Sequence, residues 1–349
     1  MRQQLTSNMD RRGFLALASI ALPFSVRKLM AEHDVVSADP LLVDFNICSL
    51  RGQYTSALDF YVRNHGEIPP DTEAAVLRIE GEVSRALDIT PDQLAHLDRR
   101  KFGAILECAG NPVNTRGLVS DGIWEGWSMG EVLSLAGPAS AGSYVNLFGR
   151  DGYARSVPTD RAHDALIATH LNAERLSRRH GAPWRALFPG WYGMDAVKWL
   201  KRIVVSKTAL PSNQMAYLEL MQGPSGEPQG RPLPRMQVKS LIVSPRNGAV
   251  LPHGKVQSRG VAWSGEGKIA QVDVSADRGL NWQPATIAAG SPYDWSWWQA
   301  ELDLIRPGQV ELVCRATDER GHTQPAERDP KRLDGYVNNW RHHIKCVVA

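Results

Sequence analysis

The sequence predicts two unlike domains, a mixed α+β unit followed by an all-β sandwich, and three observations predict them. From Leu41 to about Lys207, short strand-like and helix-like segments alternate without the regular strand–helix–strand rhythm of a doubly wound sheet. Past residue 236, apolar and polar residues alternate in short runs separated by turn residues. Between the two stretches the composition shifts to Gly, Pro, Gln and Arg.

In chain order, the first segment stands apart from the fold. Asp10-Arg11-Arg12-Gly13-Phe14-Leu15 leads into an apolar run, Ala16 to Leu22, too short to span a bilayer as a mature helix. Paired arginines before Phe-Leu resemble a twin-arginine export signal, so residues 1–38 are read as a leader and the mature chain as periplasmic. No membrane span is expected after its removal. A surface helix is the competing reading, but periodic patterning begins only near Leu41. Ala74 to Gly81 alternates as a strand ending in a turn, and Thr90-Pro91-Asp92-Gln93-Leu94 has a helix start with Pro in the first turn. Residues 41–222 make the first domain and 223–236, containing Gly223-Pro224-Ser225-Gly226, a linker. In residues 237–349, strand patterns at Ser240–Ser244, Gly260–Trp263, Ala270–Ser275 and Val310–Ala316 are parted by Arg246-Asn247-Gly248, Ser264-Gly265-Glu266-Gly267 and Asp277-Arg278-Gly279. Short strands at that spacing read as an immunoglobulin-like sandwich.

Composition excludes several classes. The chain has 349 residues, 43% of them hydrophobic, enough for two buried cores. Its 40 basic and 37 acidic residues are too evenly balanced for a protein whose main partner is nucleic acid. The four cysteines, Cys48, Cys108, Cys314 and Cys346, form no C-x-x-C pair and no C-x-x-C-H, so a zinc ribbon, a dithiol centre and covalent haem are not encoded. Whether Cys314 and Cys346 pair is left open.

The chemistry gathers around Cys108. A thiolate is a soft donor that suits a transition metal, yet one cysteine cannot complete a protein-only site. The remaining ligands must belong to a cofactor, and an anionic cofactor calls for fixed cationic donors. Arg63, His65, His180, Arg185, Lys198 and Lys201 provide such a set.

Six ordered motifs carry a resemblance: Phe60-Tyr61-Val62-Arg63-Asn64-His65, Glu107-Cys108-Ala109-Gly110-Asn111, Trp124-Glu125-Gly126, His180-Gly181-Ala182-Pro183-Trp184-Arg185, Pro189-Gly190-Trp191-Tyr192-Gly193 and Val197-Lys198-Trp199-Leu200-Lys201. In this order they resemble the sulfite oxidase family of molybdenum enzymes, over nearly the whole mature chain. The resemblance extends to the family's dimerisation domain through Ala262-Trp263-Ser264-Gly265 and Val272 to Asp277. It implies one molybdopterin per chain, with Cys108 as the protein's metal ligand. It also implies cofactor binding by Tyr61, Val62, Arg63, Asn64, His65, Asp151, His180, Arg185, Ala196, Val197 and Lys198. Arg63 and Tyr217 would stand on the substrate side with Cys108. The reaction implied is oxygen-atom transfer, sulfite to sulfate, with electrons passed to a separate c-type cytochrome because the chain encodes no haem. A two-fold homodimer is implied as well.

The chain also departs from that pattern. Animal-type members follow Cys-Ala-Gly-Asn with two arginines, where this chain has Pro112 and Val113, and a later family arginine is replaced by Asp334. Arg116, Arg332 and Arg341 are candidates to replace the lost charge. Tyr217 to Met221 and the Pro-Gly-Trp motif lie closer to bacterial members, including sulfane dehydrogenases that act on carrier-bound sulfur. The alternatives to sulfite are therefore a carrier-bound sulfane, a sulfoxide, or cofactor binding without turnover.

Overall fold

A computed structural model describes residues 35–50, 52–70, 75–139, 142–211, 217–288 and 290–349. Arg11, Arg12 and the apolar run after them lie outside the described residues. The described part of the expected leader, Val35–Ala38, is a strand pairing antiparallel with Leu41–Val43, so these residues belong to the folded domain. No described helix is long and apolar enough to cross a membrane.

The chain is mostly β. Among the described residues, α-helix is confined to Met129–Ser134 and Thr159–His163, less than an α+β assignment implies. The expected helix after Thr90 is a single 3-10 turn, Asp92–Leu94, whose entry is closed by Gln93 accepting the Thr90 N–H. Two five-stranded sheets organise the first domain. In one, Leu77–Gly81 lies parallel to Leu200–Ser206, and Tyr144–Gly149 and Ala154–Pro158 continue outward. Leu77 and Ile79 point inward and Arg78 and Glu80 outward, the period-two pattern read from the sequence. In the other, Arg99–Glu107 pairs with Val119–Ser128, which pairs with Leu166–Leu171. Arg99–Glu107 starts exposed and ends fully buried, carrying Glu107 and then Cys108 into the interior. A small sheet of Val35–Ala38, Leu41–Val43 and Val62–Arg63 presents Arg63.

The segment expected as a linker is ordered. Leu218–Gln222 and Pro228–Pro232 form a hairpin turning at Gly223–Glu227, and Leu233 and Met236 behind it are buried in the core. Gly and Pro there mark a turn between strands, a use that composition does not distinguish from a linker. In the second domain, a four-stranded sheet (Lys239–Ser244, Gly254–Trp263, Ser296–Leu304, Thr286–Ile287) and a five-stranded one (Val250–Leu251, His342–Val348, Gly308–Asp318, Ile269–Ser275, Gln283–Pro284) enclose a core containing Ile242, Trp298 and Leu312. Cys314 lies opposite His342, and Cys346 opposite Val310, on paired strands. Four residues of register separate the two cysteines, roughly 13 Å of strand, so they do not pair, and both are free.

One apolar core crosses from domain to domain. It joins Phe45, Ile105, Trp124 and Tyr192 to Leu233, Leu241, Val261, Trp263 and Trp295. At its centre Glu107, 2% exposed, meets Lys239, 1% exposed, at 2.9 Å. Trp263 Nε1 donates to the second Glu107 oxygen at 2.9 Å. Removing one partner of such a pair leaves a buried charge uncompensated, a cost of about 3–5 kcal/mol. Lys239→Met is expected to lower the unfolding free energy by about that amount, and adding Glu107→Gln to recover part of it, measured by chemical denaturation.

A second buried group gives a pH dependence. His342 Nδ1 accepts the Ile242 N–H at 3.0 Å, and burial, with His343 and Lys239 nearby, pushes its pKa from 6.5 down to about 4. Below about pH 6.5 the unfolded chain takes up a proton that the folded chain refuses. This contribution to stability is complete above that value and lost as pH falls toward 4. The thermal midpoint should fall over this window, and His342→Asn, which offers the N–H an oxygen that does not titrate, should flatten the fall.

Candidate active site

Cys108 follows directly on the Arg99–Glu107 strand, and the turn after it is fastened on every side. Its N–H donates to Leu118 O at 2.9 Å, and Asn111 N–H donates to Cys108 O at 2.9 Å. Asn111 Nδ2 reaches Glu107 at 2.9 Å while its Oδ1 takes the Leu118 N–H at 2.7 Å. The second domain adds the Val337 N–H on Ala109 O, 2.9 Å, and Lys239 Nζ on Pro112 O, 3.0 Å. Burial pushes the Cys108 thiol above its ordinary pKa, with the Gly110 N–H and Arg63 opposing.

The thiol lines a cavity of about 570 Å³, including its mouth. Of the residues read from the sequence, Tyr61, Arg63, Asn64, His65, Cys108, Asp151, Arg185, Ala196, Lys198 and Tyr217 line it together. Val62 and Val197 face apolar cores instead. His180 lies fully buried behind the wall, edge-on to Phe60 at 5.8 Å. Tyr153, Gly193, Met194 and Trp199 complete the lining and were not singled out from the sequence. Gly193 and Trp199 lie inside the quoted motifs; Tyr153, two residues after Asp151, gave no signal.

Its electrostatics come from burial. Lys198 Nζ is held by Asn64 Oδ1 at 2.6 Å and Arg179 O at 2.7 Å, and burial among Arg185, Arg179 and Arg63 drives its pKa well down. Gly181, at φ +100°, makes this placement possible, because a Cβ there would stand 2.9 Å from Lys198 Cβ. Burial lowers Arg185 to about 10 and raises the Asp151 carboxyl. His65 stacks on Tyr153, centroids 4.5 Å apart at 2°, and its Nε2 shares a hydrogen bond with the Tyr217 hydroxyl, 2.5 Å. Burial, then Arg63, Lys198 and Arg155, pushes His65 down to about 4, and burial, then Cys108, raises Tyr217 to about 12. At neutral pH His65 is therefore uncharged and Tyr217 keeps its proton.

The residues marked as departures lie elsewhere. Val113 lines a different cavity, against the second domain. Asp334 is buried and committed: its carboxylate takes the Leu220 N–H at 2.8 Å and the Tyr336 N–H at 2.7 Å and meets Arg332 Nε at 3.2 Å. Arg332 is also held by Glu219 at 2.8 Å, Arg116 lies 4.0 Å from Asp44, and Arg341 stacks over Trp282. None of the three lines the Cys108 cavity.

Residues 65–214 match the oxidoreductase molybdopterin binding domain, and residues 231–349 match the Mo-co oxidoreductase dimerisation domain. Sulfite oxidase of Gallus gallus is 30% identical over 306 residues, covering 76% of this chain and 67% of that protein. The chain belongs to the sulfite oxidase family of molybdopterin enzymes. The mitochondrial sulfite oxidase of Homo sapiens is 30% identical over 341 residues, 83% of this chain and 61% of that one. The NAD(P)H nitrate reductase of Hordeum vulgare is 30% identical over 345 residues, 83% of this chain but 38% of that one. The chain thus spans about two thirds or less of these relatives. The crystal structure of the sulfane dehydrogenase SoxCD from Paracoccus pantotrophus superposes with a TM-score of 0.81 at 27% identity, covering 97% of this chain and 92% of that one.

The family's cofactor fits the cavity. Three buried polar atoms in and behind its wall, Asn64 Nδ2, His180 Nδ1 and Arg185 Nε, have no hydrogen-bond partner among the described residues. His180 Nε2 lies 3.1 Å from Ala57 O and, for a neutral ring, donates to it, which makes Nδ1 an acceptor. Two donors and an acceptor left open beside Lys198 suit a heterocycle carrying a phosphate. Lys198→Met should weaken cofactor retention about 10- to 100-fold, the loss of a charge-assisted bond, read as molybdenum and pterin content per folded chain.

Proposed function

We propose that this protein is a molybdenum-dependent oxidoreductase that oxidises sulfite to sulfate. The observation that carries this is one half-buried thiol in a cavity whose wall supplies Arg63, Arg185 and Lys198 and a neutral tyrosine–histidine pair. The balance is sulfite plus water giving sulfate, two protons and two electrons. The molybdenum cofactor, when bound, supplies the two-electron couple and the transferable oxygen.

The protein's own share is position and charge. Cys108 offers the metal a sulfur on a turn too tightly fastened to swing. Arg63, close enough to lower the Cys108 thiol, draws an oxyanion toward the same spot. The hydrogen bond between the Tyr217 hydroxyl and His65 Nε2 holds the hydroxyl in place, and the neutral ring adds no charge that would compete with Arg63. Asn64, His180, Arg185 and Lys198 would hold the pterin and its phosphate.

Around this centre, the electron acceptor is a separate c-type cytochrome and the assembly a homodimer through residues 231–349, in keeping with the dimerisation-domain match. The two sheets of that domain pair as an immunoglobulin-like sandwich. Arg11-Arg12 before an apolar run supports export to the periplasm.

One observation favours a second substrate, sulfur presented on a carrier protein. With Val113 and Asp334 turned elsewhere, Arg63 is the arginine that acts on Cys108. The likeness to a sulfane dehydrogenase covers 97% of the chain. Protein from cells able to make molybdopterin should reduce cytochrome c when given sulfite. Cys108→Ser should lose its molybdenum and this activity. Arg63→Gln should raise KM for sulfite about ten-fold or more. Turnover with a carrier-bound sulfane and none with sulfite selects the second substrate.

A further inference from the structure

Away from the Cys108 cavity, and sharing no lining residue with it, a crevice of about 750 Å³ including its mouth opens where the domains meet. Among the described residues, no Asp or Glu lines it. Its polar walls come from three parts of the chain: Asn46, from the turn before Ile47; Asn114 and Thr115, from the loop after Cys108; and Arg246, Asn247, His342 and His343, from the second domain, the His343 ring being held from outside the crevice by Glu311 at 2.9 Å.

The hydrogen bonds of the three asparagines and His342 share one feature. Asn46 Oδ1 accepts the Cys48 N–H at 3.0 Å, Asn114 Oδ1 the Arg116 N–H at 3.3 Å, and Asn247 Oδ1 the Lys345 N–H at 2.8 Å. His342 Nδ1 accepts the Ile242 N–H at 3.0 Å. Since a backbone N–H needs an acceptor, none of these groups can be flipped without breaking a bond. Each acceptor is already used, and what remains is the donor end: three amide Nδ2 groups and His342 Nε2–H. Arg246 adds a guanidinium, only one nitrogen of which has a partner among the described residues, Cys48 O at 3.5 Å. His342 is buried, and among the described residues its hydrogen bond is the one at Nδ1. A wall of donors with one fixed positive charge and no carboxylate is built for an anion with several acceptor oxygens.

We propose that this crevice is a second site, which binds a tetrahedral oxyanion, sulfate or phosphate, and ties the loop after Cys108 to the second domain. Thr115, beside Asn114, accepts the Ile47 N–H at 2.8 Å, so one ion there would gather the Asn46 turn, the cysteine loop and the strand at His342. A ligand bound only by the folded, paired domains raises stability with its concentration.

The test uses the full-length, cofactor-loaded protein at constant ionic strength, with sodium sulfate in one arm, phosphate in another and chloride as reference. Calorimetric titration counts bound oxyanions, and thermal unfolding follows stabilisation. Arg246→Gln alters an exposed residue outside the Cys108 cavity, and Arg306→Gln, in a separate groove, serves as control. Wild type and Arg306→Gln should bind one oxyanion more than Arg246→Gln, or bind it with a dissociation constant about ten-fold lower or more. Either dianion suffices, and a preference names the ligand. Crystals soaked in selenate should show anomalous density between Arg246 and His342. Equal binding in wild type and Arg246→Gln, or equal stabilisation by chloride, would overturn the proposal.

Discussion

The buried Glu107–Lys239 pair is the contact on which the rest of the structure depends. Glu107 is the residue before Cys108, and three donors meet its carboxylate: Lys239 and Trp263 from the second domain and Asn111 from the cysteine turn. Both charges are out of water, so neither can be left alone. The position of the cysteine is therefore set from the far side of a domain boundary, and a single apolar core runs through that boundary. The second domain is a structural part of the Cys108 site as well as the match to a dimerisation domain.

The Cys108 cavity follows a different electrostatic rule. Lys198, Arg185 and Arg63 stand together, and burial lowers Lys198 and Arg185. Like charges concentrated without a full set of carboxylates are costly until an anion arrives. The same burial keeps His65 neutral and Tyr217 protonated, so the charge facing the cavity stays with the arginines and the lysine.

Much of this was legible in the sequence, and the failures have physical causes. The order of motifs from Tyr61 to Lys198 identified residues that meet in one cavity although more than a hundred positions separate them, while Lys201, also named as a donor, is exposed and lies outside its lining. Strand alternation located Leu77–Gly81 and four strands of the second domain, those at Lys239–Ser244, Gly254–Trp263, Ile269–Ser275 and Gly308–Asp318, but not Ser296–Leu304 or His342–Val348. The Gly-Pro segment at 223–236 was misread because a hairpin turn and a linker use the same residues. Thr90-Pro91 began a 3-10 turn, Asp92–Leu94, that did not propagate, and the chain re-enters a strand at Arg99. Tyr153 escaped notice because a stacking partner has no sequence signature.

The sequence by itself determined which chemistry is present: one cysteine in a cysteine–alanine–glycine–asparagine turn, the cationic residues of a cofactor site, and two domains in a fixed order. It could not determine which charges remain available, because that depends on contacts between residues far apart in the chain. Asp334 looked like an anion placed in an anion pocket, yet it is occupied by two backbone N–H groups and Arg332. Arg332 looked like a replacement cation, yet Glu219 and Asp334 hold it. Only the tertiary structure separated Arg63, facing the thiol's cavity, from arginines of equal charge that are already paired. A guanidinium acts at a site only through the bonds its neighbours leave free.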